Sequence, residues 1–293
     1  MDTNFFPSRH RHCPQCSTRT ITVKGEQVVE YYHRGVACHF IGSAIAVALD
    51  MEMIRPGEGE VVAARRLLKR VFGTYGRFIQ AVVVDGLYLE APFFNFCRQH
   101  ATHVITVLKG EHRLLLQDAR GIFSQMTPQL WQEPRRTIVL WEEEGFDSCE
   151  GMSTPLRVLH AQETEHKRTR VAGEWVHTEE THHWWWATTL PSSLMPAQNL
   201  WHAAHHRWDI ENDLFNTLST HFALDHCFRH HPTAILTFIL TLFITYVLLQ
   251  CFYQRNLKPQ CRARFTFIGI ADELYLGFAH QSTVAPDIRS PPG

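Results

Sequence analysis

Arg207-Trp208-Asp209-Ile210-Glu211-Asn212-Asp213-Leu214-Phe215 carries a base and an acid four residues apart. On a helix the two share a face. Far upstream, Ala81-Val82-Val83-Val84 is a continuous apolar run that ends in Asp85-Gly86. That is the pattern of a strand covered on both faces, opening into a turn. A strand-end aspartate and a helix-borne glutamate, distant in sequence, can be folded together to hold divalent metal for phosphoryl transfer.

The surrounding chain reads as a sheet flanked by helices. Thr18 to Val23 is a strand, Gly25-Glu26 a turn, and strand texture resumes at Val28–Tyr32 and Val36–Leu49. Pro56-Gly57-Glu58-Gly59 breaks the chain before a helix from Glu60 to about Phe72, whose Val61, Ala64, Leu67, Leu68 and Val71 share one face. Gly73 and Gly76 close that helix. Phe78 to Val84 and Val104 to Leu108 are strands, with a short helix from Ala91 to His100 between them. From Gln125 to Leu190 the texture is antiparallel β, and from Ala197 it is helical. The chain thus divides into four stretches: 1–124 and 191–264 as the core, 125–190 as a β-rich insertion, and 265–293 as a tail whose end, Val284–Gly293, is proline-rich and loose.

The chain has 293 residues, 45% of them apolar, enough for a packed core. A net charge of -1 gives no whole-chain attraction to nucleic acid, so DNA contacts must come from clusters such as Arg65-Arg66, Lys69-Arg70 and Arg135-Arg136. Eight cysteines do not make a disulfide scaffold at this length. Met1-Asp2-Thr3-Asn4 lacks the pattern of a secretory leader, so a reducing cytoplasm is expected. Pro232 to Gln254 carries no charge and is long enough to cross a bilayer, which takes roughly 20 apolar residues. The expectation is instead a buried helix, Ala234 to Phe252, packed under the sheet beside the Glu211 helix, with no membrane partner.

The run Arg207-Trp-Asp-Ile-Glu211-Asn resembles the helix signature of insertion-sequence DDE transposases, the cut-and-paste subgroup with a Tyr-Arg-Glu-Lys motif. Val84-Asp85-Gly-Leu-Tyr88, then Phe93-Phe94 and Val107-Leu108-Lys109, resembles that family's second-aspartate region. The resemblance extends to about Arg264. It implies an α/β, ribonuclease-H-like mixed sheet flanked by helices, with the β-rich insertion before the glutamate helix. It also implies two Mg²⁺ (or Mn²⁺) ions held by Asp2, Asp85 and Glu211. Arg207 would contact phosphate near the scissile bond, and the partners would be double-stranded DNA, as transposon ends and target, with a homodimer forming on it. The location would be bacterial cytoplasm, associated with the nucleoid.

Asp2 is taken as the first acid because the implied strand order, 3-2-1-4-5, sets strand one beside the Asp85 strand. Asp50, ending strand three, would lie three positions away, about 14 Å at ~4.8 Å per strand, too far to share metals about 3.5–4 Å apart. The signature is incomplete: Ala204 stands where the tyrosine is expected and Leu218 where the lysine is. With only Met1 ahead of Asp2, the expectation is a truncated or decayed copy. The alternatives are a catalytically inactive remnant with only a DNA-binding or structural role, and a small membrane protein built on Pro232–Gln254.

Cys13-Pro-Gln-Cys16 has the spacing of half a zinc site. His10, His12, His33, Cys38 and His39 are candidates to complete it, and His33 with Cys38 is the preferred pair. Trp184-Trp185-Trp186 offers stacking surface for an unpaired base, although alternate strand residues point to opposite faces.

Overall fold

A computed structural model of the chain describes residues 1–9, 12–42, 45–111, 113–171, 174–226 and 229–283. Position 10 and the tail from 284 lie outside them. The first sheet is antiparallel and built around one long strand. Its members are β1 (Asp2–Ser8), β2 (Ser17–Val23), β3 (Glu26–Phe40) and β4 (Val47–Ile54). β1 lies along one edge of β3, from Asp2 opposite Ala37 to Ser8 opposite Tyr31. β2 and β4 share the other edge in succession. Lys24 and Gly25, with φ of 51° and 88°, make the two-residue turn between β2 and β3, as the twist of a tight hairpin requires.

Helix α1 (Glu60–Tyr75) comes after the Pro56–Gly59 break and runs through Gly73, which does not end it. β5 (Ala81–Val84), α2 (Ala91–Gln99) and β6 (His103–Val107) form a parallel unit, β5 beside β6. After α3 (Leu114–Phe123) come β7 (Gln129–Glu133), β8 (Arg136–Phe146), β9 (Leu156–Val171) and β10 (Glu174–Thr188). β10 pairs antiparallel with β6, so the second sheet runs β5-β6-β10-β9-β8-β7. Strands β7 to β10 are therefore continuous with β5 and β6 in one sheet rather than a separate layer.

The fold is α/β, with mixed sheet flanked by helices on both faces. α1, α2 and α3 cover one face of both sheets through Ala64, Leu68, Phe93, Phe94 and Leu116. Beneath the second sheet lies α4 (Ala197–His205), with Leu200 and Trp201 against Ile105, Leu140 and Leu159. Beneath the first lie the segment Ile210–Phe215, α5 (Asn216–Phe222) and α6 (Pro232–Cys251). α7 (Pro259–Arg264) and α8 (Phe267–Thr283) complete the chain's helices among the described residues.

Two expectations need correction. A single five-stranded sheet was expected; there are two sheets, which meet where the Met1 amino group donates to the Val83 carbonyl at 2.9 Å. Among the described residues no strand pairs with both, because β1 starts at Asp2 and runs away from β5 along β3. A cleft of about 660 Å³ lies at this seam, between Cys38–Ile41 on one side and Gln80–Val83 on the other. The second correction concerns α6. It buries Ile235, Ile239, Phe243 and Tyr246 on one face, but Ile244 and Leu248 are 63% and 64% exposed. The helix is uncharged all round, so composition did not reveal that only one side is covered. Thr237, Thr241 and Thr245 donate to the carbonyls four residues back at 2.8, 2.8 and 2.9 Å, which satisfies that stripe within the helix.

Candidate active site

Asp2 opens β1. Its Oδ1 accepts from the Thr3 amide at 2.7 Å and its Oδ2 from Arg207 Nη1 at 3.1 Å. The same Nη1 donates to Glu211 Oε1 at 3.0 Å, so one guanidinium bridges two carboxylates. The Arg207 side chain is only 4% exposed and lies 3.7 Å above the Trp208 ring. It is turned inward, because the i,i+4 spacing brings it onto Glu211 and the fold brings Asp2 onto both. Glu211 is pushed up to about 7, first by its hydrogen bond with Asp2, then by burial and by the Asp2 charge, while Arg207 opposes the shift. A like charge beside it thus holds the Glu211 proton on more firmly than in a free glutamate.

Asp85 directly follows β5 and caps the turn Gly86–Tyr88. Its carbonyl accepts from the Tyr88 amide at 3.0 Å and from Thr106 Oγ1 at 2.7 Å, which fixes the turn against β6. A Cβ at Gly86 would stand 3.0 Å from the Val107 carbonyl oxygen, so the close approach of turn and strand requires glycine. Oδ1 of Asp85 is buried without a hydrogen-bond partner, with Lys109 Nζ at 3.7 Å. The bond from Met1 to Val83 sets Asp2 beside the end of β5. Asp2, Asp85 and a further acid, Glu60, all act on the fully buried Tyr88, whose hydroxyl donates to Glu60 Oε1 at 2.7 Å. Burial first, then these three carboxylates, hold the Tyr88 proton on. From sequence, Glu60 reads as a helix-start acid suited to the dipole rather than as part of a site. Asp50, in the middle of β4, is paired with Arg70 at 2.9 Å.

A hydrogen-bonded acid pair and an orphaned carboxylate oxygen suit a hard divalent cation, which takes oxygen ligands. Glu211 lies in a π-helical turn, Ile210–Phe215. Such a turn inserts one residue and rotates the succeeding residues by roughly 100°. Consequently Leu218 turns away from Glu211 and is fully buried with Ile210, Leu214 and Ile239; Ala204, which precedes the turn, is buried in the cluster that holds Trp201. Of the basic clusters, Arg66 pairs with Glu52 and Glu58, Arg70 with Asp50 and Glu52, and Arg136 with Glu163 and Glu165. Trp186 is core, whereas Trp185 on the opposite face stacks on His160 with ring centroids 3.9 Å apart.

The cysteine cluster is also rearranged. Cys13 Sγ and His33 Nε2 are 3.4 Å apart, and Cys13, Cys16 and His230 bring ligand atoms within 4.8 Å of one another. Cys38 is not among them. It lies five positions from His33 on one strand, which is about 16 Å and the opposite face. It is buried against α1, where desolvation pushes its thiol up to about 11. His12 stacks on Tyr31, and His39 lines the seam cleft.

The family model for the transposase DDE domain matches residues 16–248, well over half of the chain and inclusive of Asp85, Arg207 and Glu211 but not Asp2. A comparison with curated proteins finds no match. With the strand-borne Asp85, the helix-borne Glu211 and this match together, the chain belongs to the transposase DDE domain family.

Proposed function

We propose that this chain is the catalytic domain of an insertion-sequence transposase of the Tyr-Arg-Glu-Lys subgroup, cleaving DNA and joining strands with two Mg²⁺ or Mn²⁺ ions held by Asp2, Asp85 and Glu211. The observation that supports the reading is the meeting of Asp2 and Glu211 on one guanidinium; Asp85, at the end of the neighbouring strand, carries a buried oxygen that has no donor. When bound, divalent metal supplies Lewis acidity that activates water or a 3′-hydroxyl and neutralises the leaving oxygen. The chain's own residues set the geometry. Thr106 and Gly86 hold the Asp85 turn against β6. Arg207 keeps Asp2 and Glu211 in register and acts as a positioning residue, so any contact it makes with phosphate is secondary. Lys109, 63% exposed beside Asp85, offers a cation to a DNA phosphate. The protein would work in bacterial cytoplasm at the nucleoid, on double-stranded transposon ends and target, as a dimer on DNA, without a membrane partner.

A second reading, an inactive remnant, has its own support. Ala204 and Leu218 replace the expected tyrosine and lysine and are buried, so neither reaches DNA. Nicking of supercoiled DNA in Mn²⁺ separates the two. Nicking that disappears in Asp85→Ala and Glu211→Ala favours the enzyme, whereas absence of metal-dependent nicking favours the remnant.

A further inference from the structure

We propose that Cys13, Cys16, His33 and His230 form a structural zinc site that pins the β1–β2 loop to the middle of β3 and to the turn entering α6. Cys13 and Cys16 lie on one turn, the Cys16 amide donating to the Cys13 carbonyl at 3.2 Å, so both thiols leave the backbone from the same short loop. His33 approaches Cys13 Sγ to 3.4 Å, and its ring centroid lies 4.6 Å from that of His230. Cys13, Cys16 and His230 already have ligand atoms within 4.8 Å of one another. Around tetrahedral zinc, with Zn–S about 2.3 Å and Zn–N about 2.0–2.1 Å, ligand atoms stand about 3.3–3.8 Å apart. Those three therefore need closure of about 1 Å to meet that geometry, while His33, already near Cys13 but outside that mutual group, must swing further in.

The donor set is selective. Two thiolates and two imidazoles suit zinc and disfavour magnesium or calcium, which take oxygen. His33 and His230 are 3% and 6% exposed, and both cysteines are half-buried, so the floor of the site is dry while the loop closes it from above. A redox pair needs only the two thiols; it does not explain two buried imidazoles from segments almost two hundred residues apart in sequence converging on them. The position also has a mechanical meaning. His33 is paired with Phe6 across β1, and Phe6 packs on Ile235 and Leu214. A zinc ion there would hold the far end of the strand that carries Asp2, and would tie that strand to the helix beneath Glu211. The site is independent of the catalytic reading.

The test is metal analysis of the full chain purified from zinc-containing medium, then stripping with a chelator and titration with Co²⁺. The expected results are one equivalent of zinc, and a visible spectrum of tetrahedral cobalt with thiolate charge transfer. Zinc should be lost in Cys13→Ser/Cys16→Ser, and held at least tenfold more weakly in His33→Ala and in His230→Ala. It should be unchanged in Cys38→Ser. A zinc-free chain whose cobalt spectrum lacks thiolate bands would overturn the site. So would retention of zinc in the double cysteine variant. Loss of zinc in Cys227→Ser, at a residue outside the described ones, with retention in His33→Ala, would overturn the fourth ligand.

Discussion

Replacing Glu163 with leucine should unfold the joint between the β-rich insertion and the helix that leads to Glu211. Glu163 sits on β9 and is 3% exposed. It accepts from Trp201 Nε1 at 2.7 Å and from His205 Nε2 at 2.7 Å, and Arg136 Nη1 lies at 3.3 Å. Trp201 and His205 belong to α4, two residues short of Arg207. Leucine fills much of the volume but accepts nothing. Two donors in a closed environment lose their acceptor at about 1–3 kcal/mol each. Arg136 keeps Glu165 at 2.6 Å and adds little. Relief of burying a carboxylate offsets part of this, leaving about 3 kcal/mol of net destabilisation, in line with breaking other buried pairs. At roughly 2 °C per kcal/mol for a long chain, Tm should fall by about 6 °C. Glu163→Gln keeps one acceptor oxygen and should cost about a third as much. Urea denaturation of the three proteins at pH 7 measures both values. A leucine variant within about 0.5 kcal/mol of the parent, the range of an ordinary surface change, would refute the argument that this carboxylate joins insertion to core.

Other outcomes are equally specific. Tyr88→Phe removes the hydrogen bond to Glu60 and should cost about 1.5–3 kcal/mol in denaturant unfolding, since the acceptor is charged. His160, between Trp141 and Trp185, is pulled down to about 4 by burial, then by His183 and Arg120. Its folded value lies below its unfolded one, so its contribution is complete above pH 6.5 and is lost as pH falls through 4. His160→Gln should flatten the stability profile in that window and leave it unchanged above. Ile239→Ala on the covered face of α6 should cost about 2–5 kcal/mol, while Leu248→Lys on the open face should stay within about 0.5 kcal/mol. Equal losses at both would mean that the outer face is covered in solution.

The strand ending in Asp85 and the helix starting at Glu60 were legible because β5 is apolar on both faces and α1 repeats every three to four residues behind a Pro-Gly break. Strands β9 and β10 were legible only as antiparallel β texture between Gln125 and Leu190, without bounds. Beyond Glu163 both faces are polar, and cross-strand pairs such as Lys167 with Glu180 and Thr164 with Thr181 hold the ladder, which leaves no hydrophobic period to detect. The burial of Leu218 was not legible because a π turn has no residue signature; the shift appears only as Leu218 in the core. The proposed zinc cluster was half legible. Cys13-x-x-Cys16 is local, but choosing between Cys38 and His230 depends on which residues the long strand β3 and the α6 turn bring together. Strand parity alone, applied to His33 and Cys38, would have excluded the latter.

The central claim is that Asp2, Asp85 and Glu211 hold divalent metal, and direct titration of Mn²⁺ tests it without relying on activity. Calorimetric or electron-paramagnetic titration of the full chain at pH 8, above the Glu211 midpoint of about 7, should give saturable binding. That binding should be lost in Asp85→Asn and Glu211→Gln and weakened in Asp2→Asn, with the variants folded by circular dichroism. Saturable Mn²⁺ binding that survives all three substitutions would contradict the claim, and so would an absence of binding by the parent chain.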